Sequence, residues 1–131
     1  MKKISFILII LILFTSCSPS LSDGFDKGTL EDKVALIIGY LKEKATDKLH
    51  EESTVALKEG LTEETMNAVY ELLEEAGEFE EILKISTSST TDKNSKEEFA
   101  VSVVKTKYSL KEITFTMSFT KQYKLAGLFL K

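Results

Sequence analysis

The chain has 131 residues, 43% of them hydrophobic and 29% charged, with a formal net charge of −4. This length suits one domain around a single core, and the composition is that of a globular rather than a disordered chain. Every basic residue is a lysine. An acidic chain without arginine lacks the bidentate contacts and the basic surface on which nucleic-acid binding rests, and its charge disfavours attraction to anionic lipid.

Met1-Lys2-Lys3 places positive charge ahead of Ile4 to Phe14, an apolar run broken only by Ser5, and small Thr15 and Ser16 then lead to Cys17. This layout predicts a secretory signal peptide over residues 1–16. As a helix, the apolar run would rise about 16 Å, half of a ~30 Å hydrocarbon core, too short to span a membrane. Loss of Lys2 and Lys3 with the signal takes the charge from −4 to −6.

Cys17 is the single cysteine, so no internal disulfide can form. Phe14-Thr15-Ser16-Cys17 resembles the lipobox of bacterial lipoproteins, with Phe14 where leucine is usual. The resemblance implies a diacylglyceryl group on the Cys17 thiol and a lipid anchor at an extracytoplasmic membrane surface of the bacterial cell envelope. Two acyl chains suffice for stable anchoring, because each buried CH₂ contributes about 0.8 kcal/mol. Ser18 to Gly28 holds the single proline, two glycines and three serines, and reads as a flexible tether. The domain proper is therefore expected over residues 29–131.

Thr29 and Asp32 suggest a helix start, after which Leu30, Val34, Ile37, Ile38, Leu41 and Ala45 recur at helical spacing. A weaker second helical stretch runs from Asp47 to Glu59, with Gly60 as its stop. For the third helix, Leu61 is placed as a staple, Thr62 as N-cap, and Glu63 and Glu64 complement the dipole. Met66, Val69, Tyr70, Leu73 and Ala76 form its stripe, and Gly77 closes it.

Beyond Gly77 the apolar period changes from helical to alternating. Strands are expected over Phe79–Thr87, Phe99–Val104, Ile113–Thr120 and Tyr123–Leu130, with a polar loop from Ser88 to Lys96. In the third strand Ile113, Phe115, Met117 and Phe119 alternate with Thr and Ser, the pattern of a half-exposed antiparallel sheet. The fold class is α+β: about three N-terminal helices packed on one face of a four-stranded antiparallel meander.

The step from Glu74 to Phe79 (Glu-x-x-Gly-x-Phe), the long paired strands and the ending Lys124-Leu125-Ala126-Gly127-Leu128-Phe129 together resemble the DUF3887 family. The similarity extends over about Leu30 to Leu130. It implies membership of the broad nuclear transport factor 2-like and cystatin-like group, in which a curved sheet wraps the first helix to form a cone with a pocket at its mouth. It carries no activity, because the family has no assigned function.

The residues offer no catalytic constellation. His50 is the single histidine; metal sites ordinarily need two or more His or Cys ligands, and Glu51 beside it diverges around the helix. It reads as a solvated or locally bonded side chain. The acidic run Glu71, Glu74, Glu75, Glu78, Glu80 and Glu81 lacks the spacing of a calcium loop and reads as a solvated face. Glu59 to Glu81 carries nine carboxylates and no lysine, whereas Phe99 to Lys131 carries six lysines and one acid. The helices are thus acidic and the sheet basic. No glycine-rich phosphate loop, Gly-x-Ser-x-Gly elbow or cofactor fingerprint occurs.

What remains is the aromatic set. Tyr40, Tyr70, Phe79, Phe115 and Met117, with Tyr108 and Tyr123, are the candidates for lining a cone pocket, against the plainer alternative that they fill the core. The reading is a lipid-anchored, non-enzymatic module without cofactor, which binds a small ligand or a peptide. The alternative is an interaction protein that holds another envelope protein on its exposed sheet face or edge.

Overall fold

The computed structural model describes residues 21–131, so the expected signal peptide and Cys17 lie outside the described residues. Among the described residues, four helices precede four strands, and the strands form one open antiparallel sheet in the order of the chain. One expected helix becomes two, making four rather than three.

The first helix, α1 (Lys27–Glu43), begins earlier than its sequence suggests. Asp26, not Thr29, is the cap: its Oδ2 accepts from the Thr29 backbone N–H at 2.9 Å and from the Thr29 hydroxyl at 2.7 Å. Those two bonds hold the Asp26 carboxyl below the usual carboxylate range. Thr29 is a donor inside the first turn, because a carboxylate is the better acceptor for the positive end of the helix.

The expected tether also shortens. Lys27 and Gly28 are helical, and the Ser22 N–H donates to Ser89 Oγ at 2.7 Å. Phe25 is only 7% exposed, with its ring edge-on to Tyr123 at 6.3 Å. Packing of the domain therefore starts by Leu21 rather than at Thr29.

The stretch expected as one helix from Asp47 to Glu59 divides into α2 (Thr46–Glu52) and α3 (Val55–Gly60). The break has three causes, two of them local and one tertiary. Ser53 Oγ donates to the Leu49 carbonyl, Thr54 Oγ1 accepts from the Leu57 N–H, and the Thr54 N–H leaves the helical ladder to donate to the Leu125 carbonyl at 2.8 Å. A Ser-Thr pair supplies side-chain bonds that compete with continuous helix, and the sheet supplies the tertiary bond that settles it.

The last helix, α4 (Glu63–Ala76), follows its sequence signals closely. Thr62 Oγ1 accepts from the Thr65 N–H at 3.2 Å, and Met66, Leu73 and Ala76 are buried. Gly77, at φ 91° and ψ −153°, then turns the chain into the sheet, a conformation essentially restricted to glycine.

The sheet comprises β1 (Phe79–Thr91), β2 (Glu98–Tyr108), β3 (Glu112–Phe119) and β4 (Leu125–Leu130). β1 runs on through Thr91, so most of the loop expected from Ser88 shrinks to a turn at 92–97. Ser88 to Thr91 pair with Glu98 to Val101, and Asp92 Oδ1 accepts from the Asn94 N–H at 2.8 Å to hold the turn. β2 continues four residues past its expected end, because its inward positions stay buried as far as Tyr108. β4 begins at Leu125 rather than Tyr123, whose φ of 64° belongs to the preceding turn.

The inward face of β2 and β3 presents Ala100, Val104, Tyr108, Ile113, Phe115, Met117 and Phe119 to Leu30, Val34, Ile37, Ile38 and Leu41 of α1. Full burial of each large side chain contributes roughly 1.5–3 kcal/mol. Two buried hydroxyls are satisfied within the sheet: Thr106 Oγ1 donates to the Ile113 carbonyl at 2.7 Å, and Ser102 Oγ meets Thr87 Oγ1 at 3.4 Å. The outward face carries Lys105 and Lys107, Thr114 and Thr116, and the exposed Val103 and Phe129. Among the described residues, no helix is long and apolar enough to cross a membrane.

Candidate functional site: a groove between the helix ends and the sheet

Where α1 ends and β1 begins, the helical layer and the sheet leave a groove of about 440 Å³. Its floor is apolar: Leu41, Leu73 and Tyr108 are buried, and Tyr70 and Phe79 are half-buried. Its rim is charged, with Lys42 and Lys44 from the α1 end and Glu74 and Glu78 from the end of α4 and the turn after it.

Each lining residue has a local reason for its place. Lys44 ends α1 in the left-handed conformation, φ 55° and ψ 38°, and its N–H donates to the Leu41 carbonyl at 3.3 Å. That turn swings its side chain over α4, where the ammonium pairs with Glu74 and stands 5.9 Å from the Tyr70 ring centroid. The Tyr70 hydroxyl lies 2.6 Å from Thr46 Oγ1, a bond that ties α4 to the start of α2. On the opposite wall Phe79 stacks edge-on to Tyr108 at 5.5 Å and 75°, a favoured aromatic geometry. Burial pushes the Tyr108 phenol up to about 12, so it stays neutral through the physiological range.

Of the candidates read from the sequence, the structure brings Tyr70, Phe79 and Tyr108 together in this groove. Tyr40 does not line it; its ring lies 5.9 Å from the Lys48 ammonium. Phe115 and Met117 are wholly buried core residues beneath the helices, and Tyr123 packs on Phe25 at the other end of the sheet. Strict alternation in β3 was a signal for the sheet core, and it was misleading as a signal for a pocket wall. Lys44 and Glu74 were missed, because the contact between them depends on how α1 and α4 are placed.

Among the described residues, the groove lining holds no histidine, cysteine or serine. His50 lies elsewhere, with Nε2 donating to the Leu61 carbonyl at 2.9 Å, a link between α2 and the start of α4. Among the described residues, no group of three or more His, Cys, Asp or Glu side chains is arranged to hold a metal ion. The acidic run is spread over exposed positions. Glu74 pairs with Lys44, and Glu80 reaches Lys107 at 3.6 Å across β1 and β2. Exposed pairs of this kind contribute little individually.

An open antiparallel meander covered on one face by short helices, with a shallow groove where the two layers part, defines an α+β domain. The sequence profile described as "Protein of unknown function (DUF3887)" matches residues 34–128, and the chain belongs to that family. Its fold is similar to that of a protein from Ruminococcus gnavus ATCC 29149 solved by NMR: the TM-score is 0.75 at 22% identity, covering 85% of this chain and 96% of that chain. Among the curated proteins, none matches this chain.

Proposed function

We propose that this protein is a lipid-anchored, extracytoplasmic binding module whose groove takes an amphiphilic ligand: a small molecule or peptide with an aromatic or branched apolar body and charged ends. The observation that carries the reading is the groove itself, an apolar floor of Leu41, Leu73, Phe79 and Tyr108 beneath a rim bearing both signs of charge. An apolar cleft with a few polar groups at its edge is the usual form of a small-ligand site. Its position, at the end of the sheet where the helices diverge, agrees with the mouth of a nuclear transport factor 2-like cone, and the domain is read here as an open, shallow member of that group. Anchoring rests on the sequence, through Cys17.

The chain has no tryptophan and four tyrosines, so tyrosine emission reports on the groove through Tyr70 and Tyr108 without further labelling. Titration with short peptides that each carry one aromatic side chain should give a saturable change, and Tyr70→Ala should weaken it about tenfold. A linear, unsaturable response shared by wild type and Tyr70→Ala would count against the groove. For the anchor, Cys17→Ser should move the protein from the membrane fraction to the soluble one; an unchanged distribution would remove the lipid from the account.

A second reading uses the outer sheet face, where Val103 is 41% exposed and Phe129 71% exposed among threonines and lysines. It assigns the module to holding another envelope protein.

A further inference from the structure

The chain enters the domain at one end and builds the groove at the other. The entry end carries the strand turns at 92–97 and 120–124. There the Ser22 N–H donates to Ser89 Oγ, close to the end of β1, at 2.7 Å, and Phe25 meets Tyr123 in the turn between β3 and β4. A Cβ at Gly24 would come within 3.1 Å of Lys121 Nζ, and Lys121 pairs with Glu98 at the start of β2, also at 3.1 Å. The entering segment is thus held to both strand turns.

The groove takes Leu41, Lys42 and Lys44 from the end of α1, Phe79 from the first position of β1 and Tyr108 from the last of β2. α1 joins the two ends directly, beginning at Lys27 beside the entering segment and ending at Glu43 beside the groove. Its 17 residues span about 25 Å. β2, with 11 residues from Glu98 to Tyr108, runs the same course between turn end and groove.

Leu21 already packs against the core, and Cys17 precedes it by four positions. Whatever their conformation, four residues reach at most about 14 Å. A lipid on Cys17 therefore keeps the turn end within about that distance of the headgroups. Setting the groove end down on the bilayer would lift the turn end by the length of α1, about 25 Å. The leash is too short for that.

Charge acts in the same direction. Six glutamates from Glu71 to Glu81 flank the groove end, whereas Lys93, Lys96 and Lys121 stand exposed at the turn end. Like charges repel within a Debye length, about 10 Å in ordinary salt. An anionic bilayer therefore also opposes a domain lying on its side with those carboxylates against the headgroups.

We infer that the domain stands on the membrane by its strand-turn end and presents the groove at the far end, to ligands on the aqueous side. The membrane-facing surface is formed by the turns at 92–97 and 120–124, and its partner is the headgroup layer in which the anchor sits. The inference rests on the lipid anchor proposed above for Cys17, and it narrows the ligand class. A peptide or small molecule in solution reaches the groove, whereas a lipid still embedded in the bilayer does not.

The test imposes the anchor chemically and needs no ligand. Residues 17–131, which contain the whole described domain with its own core, are coupled through Cys17, the single cysteine, to maleimide-bearing vesicles of phosphatidylcholine and phosphatidylglycerol. A membrane-impermeant acylating reagent then labels exposed lysines, and mass spectrometry compares each site with the uncoupled domain. Labelling should fall severalfold at Lys93, Lys96 and Lys121, and stay unchanged at Lys42, Lys44 and Lys111, which are exposed at the groove end. Protection of the groove-end lysines, or equal labelling at the two ends, would overturn the inference. Failure of the anchor shows separately, in the membrane fractionation of Cys17→Ser, and failure of the groove to bind peptide leaves this labelling pattern unaltered.

Discussion

Lys44 and Tyr70, 26 positions apart in the chain, meet at the groove rim, with the ammonium of one 5.9 Å from the ring centroid of the other. The contact exists because Lys44 ends α1 in the left-handed conformation, so backbone geometry and rim chemistry are coupled at one residue. They can be separated by substitution. Lys44→Gly suits the backbone and should change stability by less than about 0.5 kcal/mol, while it weakens binding of anionic aromatic peptides. Lys44→Val should cost about 1 kcal/mol, because a second heavy atom on Cβ crowds a left-handed residue further than the unbranched lysine does. Urea unfolding read beside peptide titration distinguishes the two effects.

Phe25 makes the segment before α1 part of the domain. Its ring is 7% exposed and meets Tyr123 edge-on. Phe25→Ala is expected to cost about 3 kcal/mol, in the range for a large core aromatic. A chain beginning at Thr29 should be destabilised by at least as much relative to one beginning at Ser18, because it also loses the Asp26 cap. Equal urea midpoints for the two chains would show that this segment adds nothing.

Gly77 is the joint between the helical layer and the sheet. An added Cβ would fall 2.0 Å from Ser109 Oγ, and that hydroxyl accepts from the Glu78 N–H at 2.9 Å. Gly77→Ala therefore combines a forbidden backbone region with the loss of a turn bond, and roughly 3 kcal/mol of destabilisation is expected. Adding Ser109→Ala removes the clash but not the backbone strain, so only part of the loss should return. Full recovery in the double variant would mean that the backbone conformation carries no strain.

Burial raises the Tyr108 phenol to about 12 from an ordinary 10. A group whose folded value lies above its unfolded value contributes stability that is complete below pH 10. That contribution is lost as pH rises from 10 toward 12, because the unfolded chain ionises first. Wild type should therefore lose stability across this window more steeply than Tyr108→Phe, which lacks the titrating group. Parallel slopes for the two proteins in denaturant melts would contradict the burial of the hydroxyl.

Much of the scaffold was legible in local patterns. α4 is flanked by Thr62 and Gly77, whose capping roles depend only on neighbouring residues, and β3 alternates because one face is buried and the other half-exposed. Features set by distant contacts were not legible. The helix break at Ser53 and Thr54 requires the Leu125 carbonyl, and the burial of Phe25 requires Tyr123. The extension of β1 through Ser88–Thr91, a polar segment that reads as loop, requires β2 alongside it. For the groove, half-buried Tyr70 and Phe79 showed through as aromatic positions. Phe115 and Met117 showed through equally well and proved to be core, since periodicity identifies a buried face without telling whether space remains above it.

The most direct test of the binding account maps where an aromatic peptide lands. In a uniformly nitrogen-15-labelled domain titrated with such a peptide, saturable shifts should cluster at the amides of Lys42, Lys44, Glu74, Gly77 and Glu78, with the outer strand positions Val103 and Thr116 unmoved. Shifts confined to the outer sheet face, or none at any concentration reached, would contradict it.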